Sequence, residues 1–187
     1  MTLESAIRHN RGMDLASHYR DDIIVQFQKQ KELADKAISQ VSDDELFRTL
    51  DAESNSIATL MRHIGGNLRS RFTDFLTSDG EKPDRHRDGE FEMPANVTRP
   101  LVSQEWEKGF ATLFDALNAL TPSDLERAVS IRGERMSVVQ ALNRAITHLA
   151  SHVGQMVWLA KHLRGAGWKT LSIPRGQSEQ FNARRQS

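Results

Sequence analysis

His148 and His152 stand four residues apart inside a run of apolar residues that recurs at helical spacing. On a helix such a pair sits one ring above the other, about 6 Å apart along the axis. Polar rings on an apolar stripe must have their nitrogens satisfied, because an unpaired buried donor or acceptor is costly. Two imidazoles aimed inward form half of a metal site, and they equally fit a core in which each ring is hydrogen-bonded to a neighbour. A third nitrogen or oxygen donor from another element would decide for metal.

The helix that must carry this pair runs from Ser137 to Arg164. Ser137 with Gln140 makes a capping box at its start, and Gly165 and Gly167 supply the stop. Between them Val138, Leu142, Ala145, Leu149, Val153, Met156, Ala160 and Leu163 trace the apolar seam. Gly154 in the interior costs about 1 kcal/mol relative to alanine, too little to break so long a helix.

A second helix, from about Ser56 to Leu76, has its seam on Ile57, Leu60, Met61, Ile64, Leu68, Phe72 and Phe75. His63 lies on the edge of that seam, in line with Asn67 one turn later. Gly65-Gly66 in mid-helix implies either a closely approaching backbone or space left for a ligand. Arg71, toward the apolar seam, could pair with an anionic substrate or reach outward from a helix end.

Two more helices complete the set. The first spans about Met13 to Gln40, and the third about Ser103 to Leu120. Ser42-Asp43-Asp44-Glu45 is a further capping box that opens one short turn through Phe47. Ala128 to Met136, with Arg132-Gly133-Glu134 at its middle, looks like a small hairpin. The stretch from Thr77 to Pro100 has no period and is long for a connection between packed helices. As a crossover, it would let the third helix run parallel to the second. Residues 1–12 read as a loosely held arm, and 165–187 as a non-helical tail. The whole, 1–187, is expected to be one all-α domain, a four-helix bundle.

Lysine plus arginine equals aspartate plus glutamate at 25 each, so no overall field recruits nucleic acid or an anionic membrane. No apolar run is long enough to span a membrane, and Met1 to Asn10 lacks the apolar core of a signal peptide, so a cytoplasmic setting is expected. Cysteine is absent. Any metal must therefore be held by nitrogen and oxygen, and any thiol chemistry needs a thiol from outside.

In a bundle, facing helices separated by about 8–10 Å would let His63 meet His148 and His152. Three neutral nitrogens leave an open coordination position, the arrangement of catalytic rather than structural sites. His63 within Ser56-Ile57-Ala58-Thr59-Leu60-Met61-Arg62-His63, followed much later by His148-x-x-x-His152, resembles the DinB/YfiT-like family, a group regarded as metalloenzymes. Thr77 to Pro83 and Ser172 to Glu179 resemble a less characterised branch of it. The resemblance implies an up-down-down-up bundle, commonly dimeric, with zinc or nickel on the three histidines. It also implies, for some members, transfer or isomerisation chemistry that uses a low-molecular-weight thiol.

Two functional classes follow. One is a metal-dependent thiol transferase or hydrolase acting on a small electrophile; the other is a non-catalytic dimeric metal-binding or stress-response protein of the same fold. No catalytic residue beyond the ligands is assigned. Leu149 follows His148 where HExxH proteases carry glutamate, so that mechanism lacks its base. Asn67 and Gln155 could orient a ligand or hydrogen-bond a ligating ring, or stand as ordinary exposed amides. His9, His18, His86 and His162 are expected in solvent. Tyr19, Phe27, Trp106, Phe110, Phe114, Trp168 and Phe181 exceed what one core face holds, which implies an exposed aromatic patch and a homodimer, or else a monomer whose tail folds over its own patch.

Overall fold

Side-chain caps set where several of the helices start. The computed structural model describes residues 14–186; the N-terminal arm and His9 lie outside them. Helix α1, Leu15–Ile38, begins at Asp14, whose carboxylate accepts from the Ser17 amide. Short helix α2, Asp43–Phe47, has the capping box of Ser42 and Glu45. Helix α3, Ile57–Phe72, starts at Ser56, whose hydroxyl accepts from the Thr59 amide. Helix α4 is Arg99–Ala119. A hairpin of β1, Ala128–Ile131, and β2, Glu134–Ser137, leads into α5, Val138–Arg164, through the Ser137–Gln140 box. The protein is thus mostly helical with one small antiparallel sheet. Among the described residues no helix is long and apolar enough to cross a membrane.

Four boundaries or destinations differ from the sequence expectation. Helix α3 stops at Phe72 rather than Leu76, because Thr73 is extended and Asp74 turns left-handed at φ 48°. An aspartate tolerates that region better than most residues. Helix α4 starts at Arg99 instead of Ser103, with Pro100 in its first turn, where a missing N–H leaves no helical bond unmade. The tail expected to be non-helical forms helix α6, Ser178–Gln186. It has no apolar stripe to announce it, only residues of fair helix propensity such as Glu179, Gln180, Ala183 and Arg184.

The fourth correction is the aromatic patch. Phe27, Trp106 and Phe110 are fully buried, and Tyr19, Phe114 and Trp168 pack partly buried against the same core. The indole N–H of Trp106 donates to Asp35 on α1 at 2.9 Å, which satisfies it inside the core. Only Phe181 of that set is exposed.

Contacts between the long helices follow a consistent order. Along α3 and α4, Arg62 pairs with Glu105 and Gly65 abuts Gly109, so contacts advance in the same sense on both. Tyr19 bonds Asn143 and Gln40 bonds Lys169, so the early and late parts of α1 meet the start of α5 and the residues just past its end. Against α4 the order reverses, with Lys31 meeting Glu107 and Asp35 meeting Trp106.

The segment between α3 and α4 is clasped to the hairpin. Asp79 accepts from the amides of Glu81, Arg132 and Gly133 and from the Ser130 hydroxyl, all at 2.7–2.8 Å. Arg132 and Gly133 both have positive φ, 57° and 75°, as a tight two-residue hairpin turn requires. These bonds, led by the Glu81 and Gly133 amides, hold the Asp79 carboxyl well below the usual carboxylate range. A depressed folded pKa contributes stability above the unfolded value of about 3.9 and loses it as pH falls toward the folded one. Asp79→Asn is therefore expected to cost on the order of 2 kcal/mol at neutral pH. The deficit should shrink steadily in urea titrations taken down to acid pH, and a gap independent of pH would contradict this role.

Candidate metal centre

His63 lies in the middle of α3, and only 3% of it is exposed. His148 and His152 lie half-buried on the facing side of α5. The three rings converge: His148 Nε2 is 3.3 Å from His63 Nε2 and 3.1 Å from His152 Nε2. One ligand atom from each residue falls within 4.8 Å of the other two, close enough to bind a metal ion. A tetrahedral ion with bonds of about 2.0–2.1 Å sets its nitrogen ligands about 3.4 Å apart. The observed separations approach that spacing.

Proton placement points the same way. Glu90 Oε2 lies 2.8 Å from His63 Nδ1, and Gln155 Oε1 lies 3.0 Å from His152 Nδ1. An ionised carboxylate and an amide oxygen only accept, so each Nδ1 is the donor, and in the neutral ring each Nε2 then keeps a lone pair. Both lone pairs face His148 Nε2, whose single possible N–H could satisfy one of them. Imidazole nitrogens as a class suit zinc, copper, iron and nickel alike.

Charge is tuned to match. Burial, reinforced by the neighbouring His152 and His63 and by Arg71 and Arg85, pushes His148 down to about 4. Burial also lowers His152, against the opposing bond to Gln155. Both rings are thus neutral at physiological pH, the state ligation needs. Burial would raise Glu90, but bonds from His63 and Arg85 outweigh it and hold the carboxyl low.

Glu90 comes from a short 3₁₀ turn, Asp88–Glu90, in the long connection, and Arg85 grips both its oxygens at 2.8 and 2.9 Å. Sequence reading missed it, although Gly66 carried a signal. A Cβ on Gly66 would lie 2.3 Å from Glu90 Oε1, so the glycine leaves room for the carboxylate that orients His63. Gly65 answers to the other explanation, close packing: its Cβ would lie 2.6 Å from the Glu105 carbonyl. Carboxylates behind ligating imidazoles fix the tautomer and raise basicity. Glu90→Gln is expected to weaken zinc binding by roughly 10- to 100-fold, read by chelator competition. Unchanged affinity would mean that Glu90 only closes the loop.

Asn67 and Arg71 line a cavity of about 390 Å³ that opens onto all three histidines. Arg71 there also bonds the Gly80 carbonyl and Glu81. Gln155 is exposed and touches His152, but it borders a separate groove with Leu50 and Trp158. His18, His86 and His162 are exposed, and His162 stacks on Trp158.

The protein is mostly helical, and its facing helices bring three imidazole nitrogens close enough together to bind a metal ion. The chain belongs to the family described as proteins of unknown function, DUF1572, whose model matches residues 14–177, and that family is DinB-like. No curated protein matches it.

Proposed function

We propose that this chain is an up-down-down-up four-helix bundle enzyme that holds one divalent ion, zinc or nickel, on His63, His148 and His152. The convergence of the three Nε2 atoms carries the reading. The contact order along α1, α3, α4 and α5 supports the bundle topology. The reaction proposed is transfer of an external low-molecular-weight thiol to a small electrophile, or hydrolysis of that electrophile.

A bound ion with an open position would supply Lewis-acid activation of water or of a thiol. The chain's own part is to hold that ion neutral-ligated, to orient His63 through Glu90, and to seat substrate against Asn67 and Arg71. Among the described residues its cavity wall contains no aspartate or glutamate, so a carboxylate base is not part of the reading. The test is thiol consumption with an aryl halide, comparing metal-loaded protein, chelated protein and His152→Ala. Metal-dependent turnover lost in the variant is expected. A fully loaded protein that consumes no thiol with any electrophile offered would instead favour the non-catalytic metal-binding role.

We further propose a homodimer, now resting on a smaller surface than the aromatic count implied. Trp158 is 60% exposed and Leu50 40%, beside one groove. Light scattering at micromolar concentration should give twice the 21.2 kDa of one chain, and Trp158→Glu should return it to that mass. A wild-type mass of one chain would remove the dimer.

A further inference from the structure

We propose that the cavity beside the histidine cluster binds a small organic anion, a carboxylate attached to an apolar body. The anion site stands on the cavity wall itself; only its being the substrate site rests on the enzyme reading above.

The chain as a whole is charge-balanced, yet this wall is not. Arg71, Arg85, Arg87, Arg132 and Arg144 all line it, and among the described residues no acidic one does. The carboxylates that meet these arginines stand outside the wall, and they are too few. Glu90 takes both of its close cationic bonds from Arg85. A single oxygen of Glu81 serves Arg71 at 2.8 Å, Arg132 at 3.0 Å and Arg85 at 3.5 Å. Among the described residues the carboxylate paired with Arg144 is Glu134, 70% exposed, and that paired with Arg87 is Asp88, 96% exposed. Exposed pairs of this kind contribute little and give way readily to a better partner.

The arginines divide by task. Arg85 is 5% exposed at its side chain and is used up in pinning Glu90. Arg71, 11% exposed, is anchored, but every hydrogen bond it makes to described residues runs through Nη1. The rest of its fork is neither bonded nor sealed off. Arg132 and Arg144 are about half exposed; Arg132 shares the part-buried Glu81 with Arg71 and Arg85, and Arg144 pairs with the exposed Glu134, so both can turn onto a ligand at the mouth. Guanidinium forks match carboxylates in two-point geometry.

The remaining wall is apolar. Phe72 at the end of α3, Phe75 and Phe91 from the connection and Ile131 from β1 face the same space. A bare inorganic anion would leave those surfaces wet, and a neutral apolar molecule would leave the guanidiniums uncompensated. A carboxylate on an apolar body uses both, and the volume suits a small molecule.

Calorimetry at low salt, on chelator-stripped and on zinc-loaded protein, tests this with phenylacetate, its neutral isostere phenylacetamide, and acetate. Phenylacetate should bind at least tenfold tighter than either, in both forms of the protein. The double variant Arg132→Gln with Arg144→Gln should lose about tenfold for phenylacetate while keeping its helical circular dichroism and its zinc content. Equal binding of the amide, equal binding of acetate, or an undiminished double variant would overturn the proposal. Absent zinc uptake with phenylacetate discrimination intact would instead count against the metal reading alone, leaving this one supported.

Discussion

His152→Ala is expected to lower metal content from about one divalent ion per chain to a tenth or less, because a catalytic-type site has only three protein ligands to begin with. The substitution should leave the fold intact. His152 is half-buried on α5, and alanine is the better helix former. His63→Ala and His148→Ala should lose the ion equally. Elemental analysis of protein carrying no histidine tag is the measurement. Thermal unfolding gives an independent reading: at a zinc concentration 100 times Kd, the wild type should gain about 2.7 kcal/mol and the variant none. Full occupancy in His152→Ala would sink the assignment of all three ligands.

The second large effect concerns two glycines that meet across α3 and α4. A Cβ on Gly109 would lie 2.6 Å from the Cα of Gly65, and one on Gly65 would lie 2.6 Å from the Glu105 carbonyl oxygen. Both obstacles are backbone, which cannot rotate away as a side chain can. Gly109→Ala must therefore push the helices apart along a packed seam that includes Trp106, Leu113 and Leu68. The expected cost is about 3 kcal/mol, the upper end of ordinary overpacking. Gly154→Ala is the control. It sits in α5 with nothing within 4 Å of the added carbon, and should gain up to about 1 kcal/mol from helix propensity. Urea unfolding should place the two variants on opposite sides of the wild type. If Gly109→Ala were neutral, the close contact would not be a determinant of helix spacing.

The local features were legible because their causes are local. The Ser137–Gln140 and Ser42–Glu45 boxes form where the residue spacing places them, since each closes within one helical turn. The hairpin turns at Arg132-Gly133, as the sequence suggests, although only the structure shows Asp79 holding that turn from 53 and 54 residues away. The tail helix escaped notice for a related reason: periodicity detects a helix through the face it buries, and Ser178–Gln186 is mostly exposed.

By itself the sequence determined that His148 and His152 share one helix face, that any metal must be held without thiolates, and that long amphipathic helices must bury their stripes together. Tertiary structure decided what those stripes meet. Glu90 reaches His63 from 27 residues further along the chain, and His63 reaches His148 across 85. Neither separation leaves a periodic trace, because each depends on where a loop closes and how far each helix is rotated about its axis. The same holds for the aromatic residues, whose number was plain but whose destination, core or surface, was set by the partner helix. A repeat of 3.6 residues specifies which side chains lie side by side on one helix, and only packing specifies what stands opposite them.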